Sequence, residues 1–431
     1  MSGSGATRLP PKNARRRRVL SGISTNVLVL GIVSLLTDMS SEMIYPIMPM
    51  FLVAIGASGL IIGLIEGASE TTASLLKVVS GWYSDKYDRR KPFVTGGYGL
   101  SALAKPALVW ATSPLQVLGI KIVERVGKGV RSAPRDALIA DSTATGVRGR
   151  AYGFHKAMDS SGAVLGPLIT LVVLLSVVAA ELDLYRLVFA LAVLPAFAAV
   201  AVILVFVREK EPAQTRAAPL VFRKGVHELG RPFWMLMAVT VVFYMGEISY
   251  AFFILRAGDA EVSMFDGLVP AGVDSILVQS MALYILYNVV FVLVSMPAGN
   301  LSDRLGRRPV IMTAFGLFAL TCSIMAAADT VAMLLAGFVL FGVYKGASEG
   351  VFKAYVTDLV PLELRGTALG TYHTAVGLVM LPGGLIAGLM WDSVGHWATF
   401  AYGAATAVTA LALLSLLMPR SRPEPQGVPR A

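Results

Sequence analysis

Residues 81–92 read GWYSDKYDRRKP, and residues 299–310 read GNLSDRLGRRPV. Each stretch holds Gly, Asp and a pair of Arg at the same spacing, and each lies at the end of a long apolar run. A charged cluster that occurs twice indicates two copies of one larger unit. The matching positions are 218 residues apart: Gly81 with Gly299, Asp85 with Asp303, Arg89 with Arg307, and Arg90 with Arg308.

The composition is that of a chain dissolved in lipid. Apolar residues make up 55% of the chain, charged residues make up 15%, and the mean hydropathy is +0.69. Apolar stretches recur that are long enough to cross, as helices, a hydrocarbon layer roughly 30 Å thick. Their continuity excludes the alternating pattern of a membrane barrel. Twelve helical spans are predicted, at 26–54, 60–81, 93–112, 115–137, 157–179, 185–207, 233–255, 275–299, 309–328, 331–352, 368–390 and 397–418.

The net charge of +10 is placed asymmetrically. With both termini in the cytoplasm, Lys and Arg concentrate in the two tails and the even-numbered loops, and acids mark the opposite face. This pattern predicts a multi-pass protein of the cytoplasmic (inner) membrane, in contact with lipid and without a nucleic-acid partner. The tract Arg15 to Arg18 then acts as a topological anchor, although a basic recognition tract or the start of a signal peptide has a similar composition.

Other matches extend the repeat. At a shift of 217, Lys128 falls on Lys345, Asp141 falls on Asp358, and RGRAYG from 148 falls on RGTALG from 365. A weaker echo relates EMIY from 42 to EISY from 247. The predicted organisation is therefore two six-helix bundles in the same orientation: an N-terminal tail at 1–25, a first bundle at 26–207, a cytoplasmic linker at 208–232, a second bundle at 233–418 and a C-terminal tail at 419–431.

The chain resembles the major facilitator superfamily of secondary transporters over all twelve spans. GWYSDKYDRRK is similar to that family's loop motif G-x-x-x-D-R/K-x-G-R-R/K, with Asp88 at the second glycine; the second copy keeps Gly306 there. The resemblance implies an all-α membrane protein with twelve helices in two pseudo-symmetric bundles, and a monomer by family default. No metal-ligand spacing, enzyme constellation or nucleotide-binding loop is evident, so neither an enzyme nor a metal or other cofactor is expected.

The fifth span carries a second resemblance. Gly153, Gly162, Gly166 and Pro167 are similar to the antiporter motif G-x(8)-G-x(3)-G-P-x(2)-G-G, whose final glycine pair is replaced by Thr170 and Leu171. The stretches TDMSSEMIYPIMP and RVGKGVRSAPRDALIAD also resemble a bacterial branch described only as candidate efflux transporters. Both resemblances favour export; small residues that merely permit close helix packing are the alternative explanation of the glycines.

In the resembling family, the repeated cluster helps to latch the cytoplasmic side of the two halves in the outward-facing state. We therefore expect Asp85 to pair with Arg89, and Asp303 with Arg307. Charge-assisted bonds of this kind hold neighbouring helices in one arrangement. The alternative is a solvated positive-inside loop, in which an exposed pair contributes about 0 to 1 kcal/mol.

Ionisable residues within the spans are expensive, at about 2.5 to 3.5 kcal/mol each, and rarely persist without a partner or an aqueous cavity. We interpret the following as candidates for proton coupling: Asp38, Glu42, Glu66, Glu70 and Glu247. The candidates for the substrate cavity are Tyr45, Arg125, Lys128, Tyr250, Lys345 and Glu349. Simple neutralisation within i,i+4 pairs is the alternative for Glu124 with Lys128 and for Glu349 with Lys353.

These features together predict a secondary transporter that exports a small organic solute in exchange for protons. Burial and a nearby cation act in opposite directions on a carboxyl group's affinity for a proton, which makes a proton-coupled switch possible. Two alternatives remain open from the sequence: a symporter or facilitator that imports a polar or anionic solute, and a sensor on a transporter scaffold.

Overall fold

The computed structural model describes residues 24–87, 89–143, 147–208, 226–259 and 263–418, without the side chains at 85, 148 and 362. The N-terminal tail, the C-terminal tail, Asp88 and most of the predicted linker lie outside the described residues.

The described chain is almost entirely helical and contains no strand. Its helices form twelve spans, numbered here in chain order: first Thr25–Ile44 and Met48–Ala54, second Gly59–Lys86, third Lys91–Ala104 with a 3-10 turn Lys105–Trp110, fourth Pro114–Asp141, fifth Arg148–Ser176, sixth Glu181–Phe206, seventh Arg231–Met245 and Tyr250–Gly258, eighth Ser275–Leu305, ninth Arg307–Ala326, tenth Val331–Asp358, eleventh Arg365–Ser393 and twelfth His396–Leu417.

Nine spans of the described chain are long and apolar enough to cross a membrane by length and composition. The second and fourth spans fall short because their many ionisable residues interrupt the apolar run. The third changes to 3-10 geometry at Lys105, where Pro106 cannot donate a backbone hydrogen bond. The predicted all-α, twelve-span fold is confirmed.

The first and seventh spans are both interrupted near their middle. The first breaks at Tyr45 to Ile47, where Pro46 has no N–H to continue the helical ladder. The seventh breaks at Gly246 to Ser249. Interrupted helices are tolerated at membrane depth where they are buried in protein or line a cavity.

Helix packing follows the repeat. The second and third spans pack on the fourth, as the eighth and ninth pack on the tenth; the first packs on the fifth, as the seventh packs on the eleventh. Three main contacts join the halves: the second span against the eleventh, the fifth against the eighth, and the first, through Met48–Ala54, against Tyr250–Gly258 of the seventh. The first, fourth, seventh and tenth spans therefore bring their polar residues towards a common centre.

Candidate functional site

The two interrupted spans meet at the centre of the bundle. The rings of Tyr45 and Tyr250 stack with centroids 4.0 Å apart and planes inclined by 19°. The Tyr250 hydroxyl donates to the Tyr45 carbonyl oxygen over 3.2 Å. The weak EMIY and EISY echo thus places equivalent tyrosines face to face, next to Glu42 and Glu247.

An ion pair crosses from the second span to the fourth beside this stack. Arg125 Nη1 lies 2.9 Å from Glu70 Oε1. The guanidinium also lies over the Tyr45 ring, at 5.7 Å from its centroid, and Lys121 lies over the same ring at 5.2 Å. Arg125 and Lys121 are buried. The ion pair between Arg125 and Glu70 therefore neutralises a charge that would be costly inside the membrane.

The second half contains a tighter pair. Glu247 Oε1 accepts hydrogen bonds from Lys345 Nζ and from the Tyr344 hydroxyl, each over 2.5 Å. The Glu247 side chain is only 3% exposed. One turn further along the tenth span, Lys353 pairs with Glu349 over 3.1 Å in a more exposed position.

Two carboxylates of the first half bond to hydroxyl groups of the second. Glu42 Oε2 accepts from Tyr284 over 2.7 Å, and Glu66 Oε2 accepts from Ser249 over 3.0 Å. Neither carboxylate forms an ion pair with a described residue. These are direct polar contacts between the halves at the centre of the bundle, and the sequence alone did not indicate them.

Asp159 of the fifth span is a further, half-buried acid that sequence reasoning missed. It accepts from Ser34 over 3.0 Å and pairs with Lys156 over 2.8 Å, and it lies close to Asp38. Its signal was its spacing: residues 159, 162 and 166 lie on one face of a helix.

The two glycines on that face let the fifth span approach the first. A Cβ on Gly162 would overlap the backbone of Leu35, and one on Gly166 would overlap the backbone of Met39. Pro167 lies within the same helix, and Thr170 donates to the Met43 carbonyl oxygen over 2.9 Å. Gly153 has open space around it. The antiporter-like motif is therefore where the backbones pack, and it positions Asp38 and Glu42.

Both repeated clusters, 81–92 and 299–310, lie at one end of the bundle, which we term the charged end. In the second copy, Arg307 contacts Asp303, donates to Ser302 over 2.6 Å and pairs with Asp358 over 3.0 Å. In the first copy, Arg90 donates to Ser84 over 2.8 Å and lies 3.7 Å from Asp141.

The structural equivalent of Arg307 is therefore Arg90, one position away from the simple alignment. The Asp85 side chain, the expected partner of Arg89, lies outside the described residues, and Arg89 is exposed. Arg308 donates to the Ser415 carbonyl oxygen over 2.9 Å. Gly81 packs near Ala133, whereas Gly299 has open space around it. These contacts join spans within one half.

The opposite end of the bundle is closed by the second and eleventh spans. Asp392 accepts hydrogen bonds from the backbone N–H groups of Gly59 and Leu60, each over 2.8 Å, and so caps the second span from the other half. Behind it, a Cβ on Gly63 would overlap Gly384, and one on Gly67 would overlap the backbone of Met380. Four-residue glycine spacing was the available signal for this seam.

A profile of the Major Facilitator Superfamily matches residues 30–285 and 272–431. The uncharacterized MFS-type transporter MJ1317 of Methanocaldococcus jannaschii is 35% identical over 393 residues, which cover 91% of this chain and 94% of that protein. The multidrug resistance protein MdtH of Aeromonas hydrophila is 28% identical over 141 residues, 32% of this chain.

The solved structure of the nucleoside transporter NupG has the same fold. It superposes with a TM-score of 0.74 over 91% of this chain and 98% of that one, at 13% sequence identity.

Proposed function

The chain belongs to the major facilitator superfamily and is a multi-pass membrane transporter, and we propose that it exports a small organic solute in exchange for protons. The observation that carries the proposal is the pair of first-half carboxylates, Glu42 and Glu66, that bond across the interface to Tyr284 and Ser249. Alternating access rocks one half against the other around a central site.

A carboxylate bonded across the interface changes its surroundings whenever the halves move. If protonation alters the strength of such a bond, the proton biases the conformational equilibrium, since a ligand shifts that equilibrium by its differential affinity for the two states. Asp38 lies one turn before Glu42 on the first span and packs against Gly162, so we include it among the candidate proton-exchanging acids. Glu70 and Glu247 are engaged by Arg125 and Lys345, so we assign them a structural role.

We place the charged end and both termini in the cytoplasm, in keeping with the positive-inside rule. Ionisable side chains near this end are accessible within the bundle: Lys156 is 61% exposed, Glu349 49% and Lys353 43%. Lys156 lies on the fifth span, and Glu349 and Lys353 lie on the tenth. Lys156 is close enough to Glu349, across the interface between the halves, for the two charges to attract each other. We call this space the vestibule. The vestibule is open at the charged end, which we place in the cytoplasm, and the second and eleventh spans close the opposite end. This arrangement supports an inward-facing state.

Export rather than import is supported by the antiporter-like glycine face of the fifth span. The partial similarity to a protein named for multidrug resistance agrees with that direction. The same geometry running in reverse would give an importer, and the experiment below separates the two.

The test uses purified protein in liposomes with an acidic lumen and an internal pH dye. Lipophilic cations, zwitterions and organic anions are added outside in turn. Proton efflux driven by one class of solute is the expected result for antiport. Solute entry with no proton movement, or with proton movement in the same direction as the solute, overturns the proposal.

A further inference from the structure

Two lysines of the vestibule wall form no ion pair with any described residue. They are Lys77 of the second span and Lys128 of the fourth, and the two ammonium groups lie within electrostatic range of each other. Lys128 is solvent-accessible although helices surround it. Charged groups at such depth persist where they meet a partner or line a cavity, so an unmatched pair of like charges requires an explanation.

The acids near Lys77 are already engaged. Asp136 accepts two hydrogen bonds from Arg135, over 2.9 and 3.1 Å, and Glu349 accepts from Lys353 over 3.1 Å. Lys128 is near Asp38, Glu42 and Glu70, of which Glu42 accepts from Tyr284 and Glu70 pairs with Arg125. Neither Lys77 nor Lys128 forms an ion pair with a described acid, so both ammonium groups are available to an anion.

One further cation faces Lys77 from the second half. Lys353 of the tenth span, in its pair with Glu349, is within electrostatic range of Lys77. The last close contact of the second–eleventh seam is Ser74 against Gly377, one helical turn from Lys77 and from His373. At the other edge of the vestibule, Lys156 faces Glu349, a pair of opposite sign. The second–eleventh edge therefore carries Lys77, and the opposite edge carries an oppositely charged pair.

Closing the charged end brings Lys77 towards Lys353. Like charges approaching in a medium of low dielectric repel, whereas an anion between them is attracted by each. Beside this edge, the hydroxyl groups of Tyr244 and Tyr372 bond to each other over 3.0 Å, and Tyr372 precedes His373. Tyrosine rings provide apolar surface for the body of an organic molecule.

We propose that Lys77 and Lys128 bind the anionic group of the transported solute, and that Lys353 meets that group from the other half as the charged end closes. The solute is then an organic anion with a carboxylate, sulfonate or phosphate group. This inference rests on the proposed transport function and narrows its substrate class. It also makes the bound anion the condition for closing the vestibule.

The experiment measures the distance between spin labels at Tyr87→Cys and Gly366→Cys in a Cys322→Ala background, using the full chain in lipid nanodiscs. The probes are 2-naphthoate, its neutral amide, and the 2-naphthylmethylammonium cation. We expect 2-naphthoate to enrich the short distance at least fivefold, and the other two probes to leave the distribution unchanged. In the Lys77→Gln, Lys128→Gln double variant, the short distance is expected without any probe and 2-naphthoate adds nothing.

Arg304→Gln is the matched control, because it removes an exposed cation at the charged end on the eighth span, away from the second–eleventh edge. It is expected to behave as the parent protein. A distribution that the double variant does not change overturns the site. Equal enrichment by the amide or the cation overturns the anionic class while leaving transport intact. Coupling to none of the solute classes in the liposome experiment overturns the proposed function itself.

Discussion

The two halves carry a glutamate and a lysine at matching positions of the repeat, yet they use them differently. In the second half, Glu247 and Lys345 form a pair at 2.5 Å, and the carboxylate is buried. In the first half, Glu42 accepts from Tyr284 over 2.7 Å, and Lys128 forms no ion pair with a described residue. The glutamate and the lysine therefore form an ion pair in the second half, whereas their equivalents in the first half, Glu42 and Lys128, do not.

The difference separates a fixed scaffold from a variable site. A pair completed within one half keeps its partner whichever way the halves lean, because both groups move together. A carboxylate bonded to a hydroxyl of the other half must exchange that contact when the halves rock. We therefore assign proton exchange and solute binding to the first half and rigidity to the second.

The largest expected effect on stability comes from breaking the ion pair between Glu247 and Lys345. Glu247→Gln leaves the Lys345 ammonium without its carboxylate, and removing one partner of a buried pair is destabilising by about 3 kcal/mol. We expect a large drop in the melting temperature of the detergent-purified protein. The control is Glu247→Gln with Lys345→Met, which removes both charges and is expected to recover most of the loss. A single variant as stable as the parent would show that the pair is not structural.

Replacing Lys128 is not expected to lower stability, because Lys128 forms no ion pair with a described residue. Lys128→Met should weaken binding of an anionic solute about tenfold, equivalent to about 1.4 kcal/mol, and leave the melting temperature within error of the parent. Isothermal titration with 2-naphthoate measures the first quantity and thermal denaturation the second. Destabilisation as large as that expected for Glu247→Gln would contradict the contrast between the halves.

A smaller effect, on the rate of proton movement, is expected from replacing the tyrosines that donate hydrogen bonds to Glu42 and Glu247. Tyr284→Phe removes the hydrogen bond to Glu42, which is worth about 1.5 to 3 kcal/mol when the acceptor is charged. Tyr344→Phe leaves Glu247 still bound by Lys345. We expect the first variant to lower the rate of solute-driven proton movement several-fold, and the second to lower it less than twofold. The reverse order in the liposome experiment would place the sensitive carboxylate in the second half.

The smallest effect is expected at the seam that holds the halves together. Asp392→Ala removes the cap on Gly59 and Leu60, worth about 1 kcal/mol. Asp392→Asn keeps an acceptor and loses only the charge, worth about 0.3 to 1 kcal/mol at a helix N-terminus. We expect both variants to populate the outward-facing state more than the parent, the alanine variant more strongly. Spin labels across the second and eleventh spans measure this, and unchanged populations in both would exclude the cap as a latch.

The sequence predicts the fold well because a span depends on its own length and apolarity. Every predicted span corresponds to a helix, even the second and fourth, where ionisable residues obscure the hydropathy. The largest boundary difference is at the fifth helix, which begins at Arg148, not at 157. Asp159 lies within both the predicted span and the observed helix, but its place beside the first span depends on how Gly162 and Gly166 pack against that span, which the sequence does not show.

The candidate site is less accessible to sequence reasoning, because its contacts depend on how the halves lie against each other. Glu42 and Glu66 stand out as acids in apolar runs, but their partners Tyr284 and Ser249 are far away in sequence and ordinary in type. Asp392 likewise has no local signal, since the helix end it caps belongs to the other half. The sequence therefore identifies the ionisable residues within the spans, but which of them form pairs depends on how the helices of the two halves pack.

The central assignment, that proton coupling belongs to the first half, is tested by solute-driven proton efflux in the acid-loaded liposomes. The measurement compares the parent, Glu42→Gln, and the Glu247→Gln with Lys345→Met double variant, alongside exchange of labelled solute across the same membranes. We predict that Glu42→Gln retains solute exchange and loses proton efflux at least tenfold, while the double variant keeps both. Proton efflux that survives in Glu42→Gln and vanishes in the folded double variant would contradict the account.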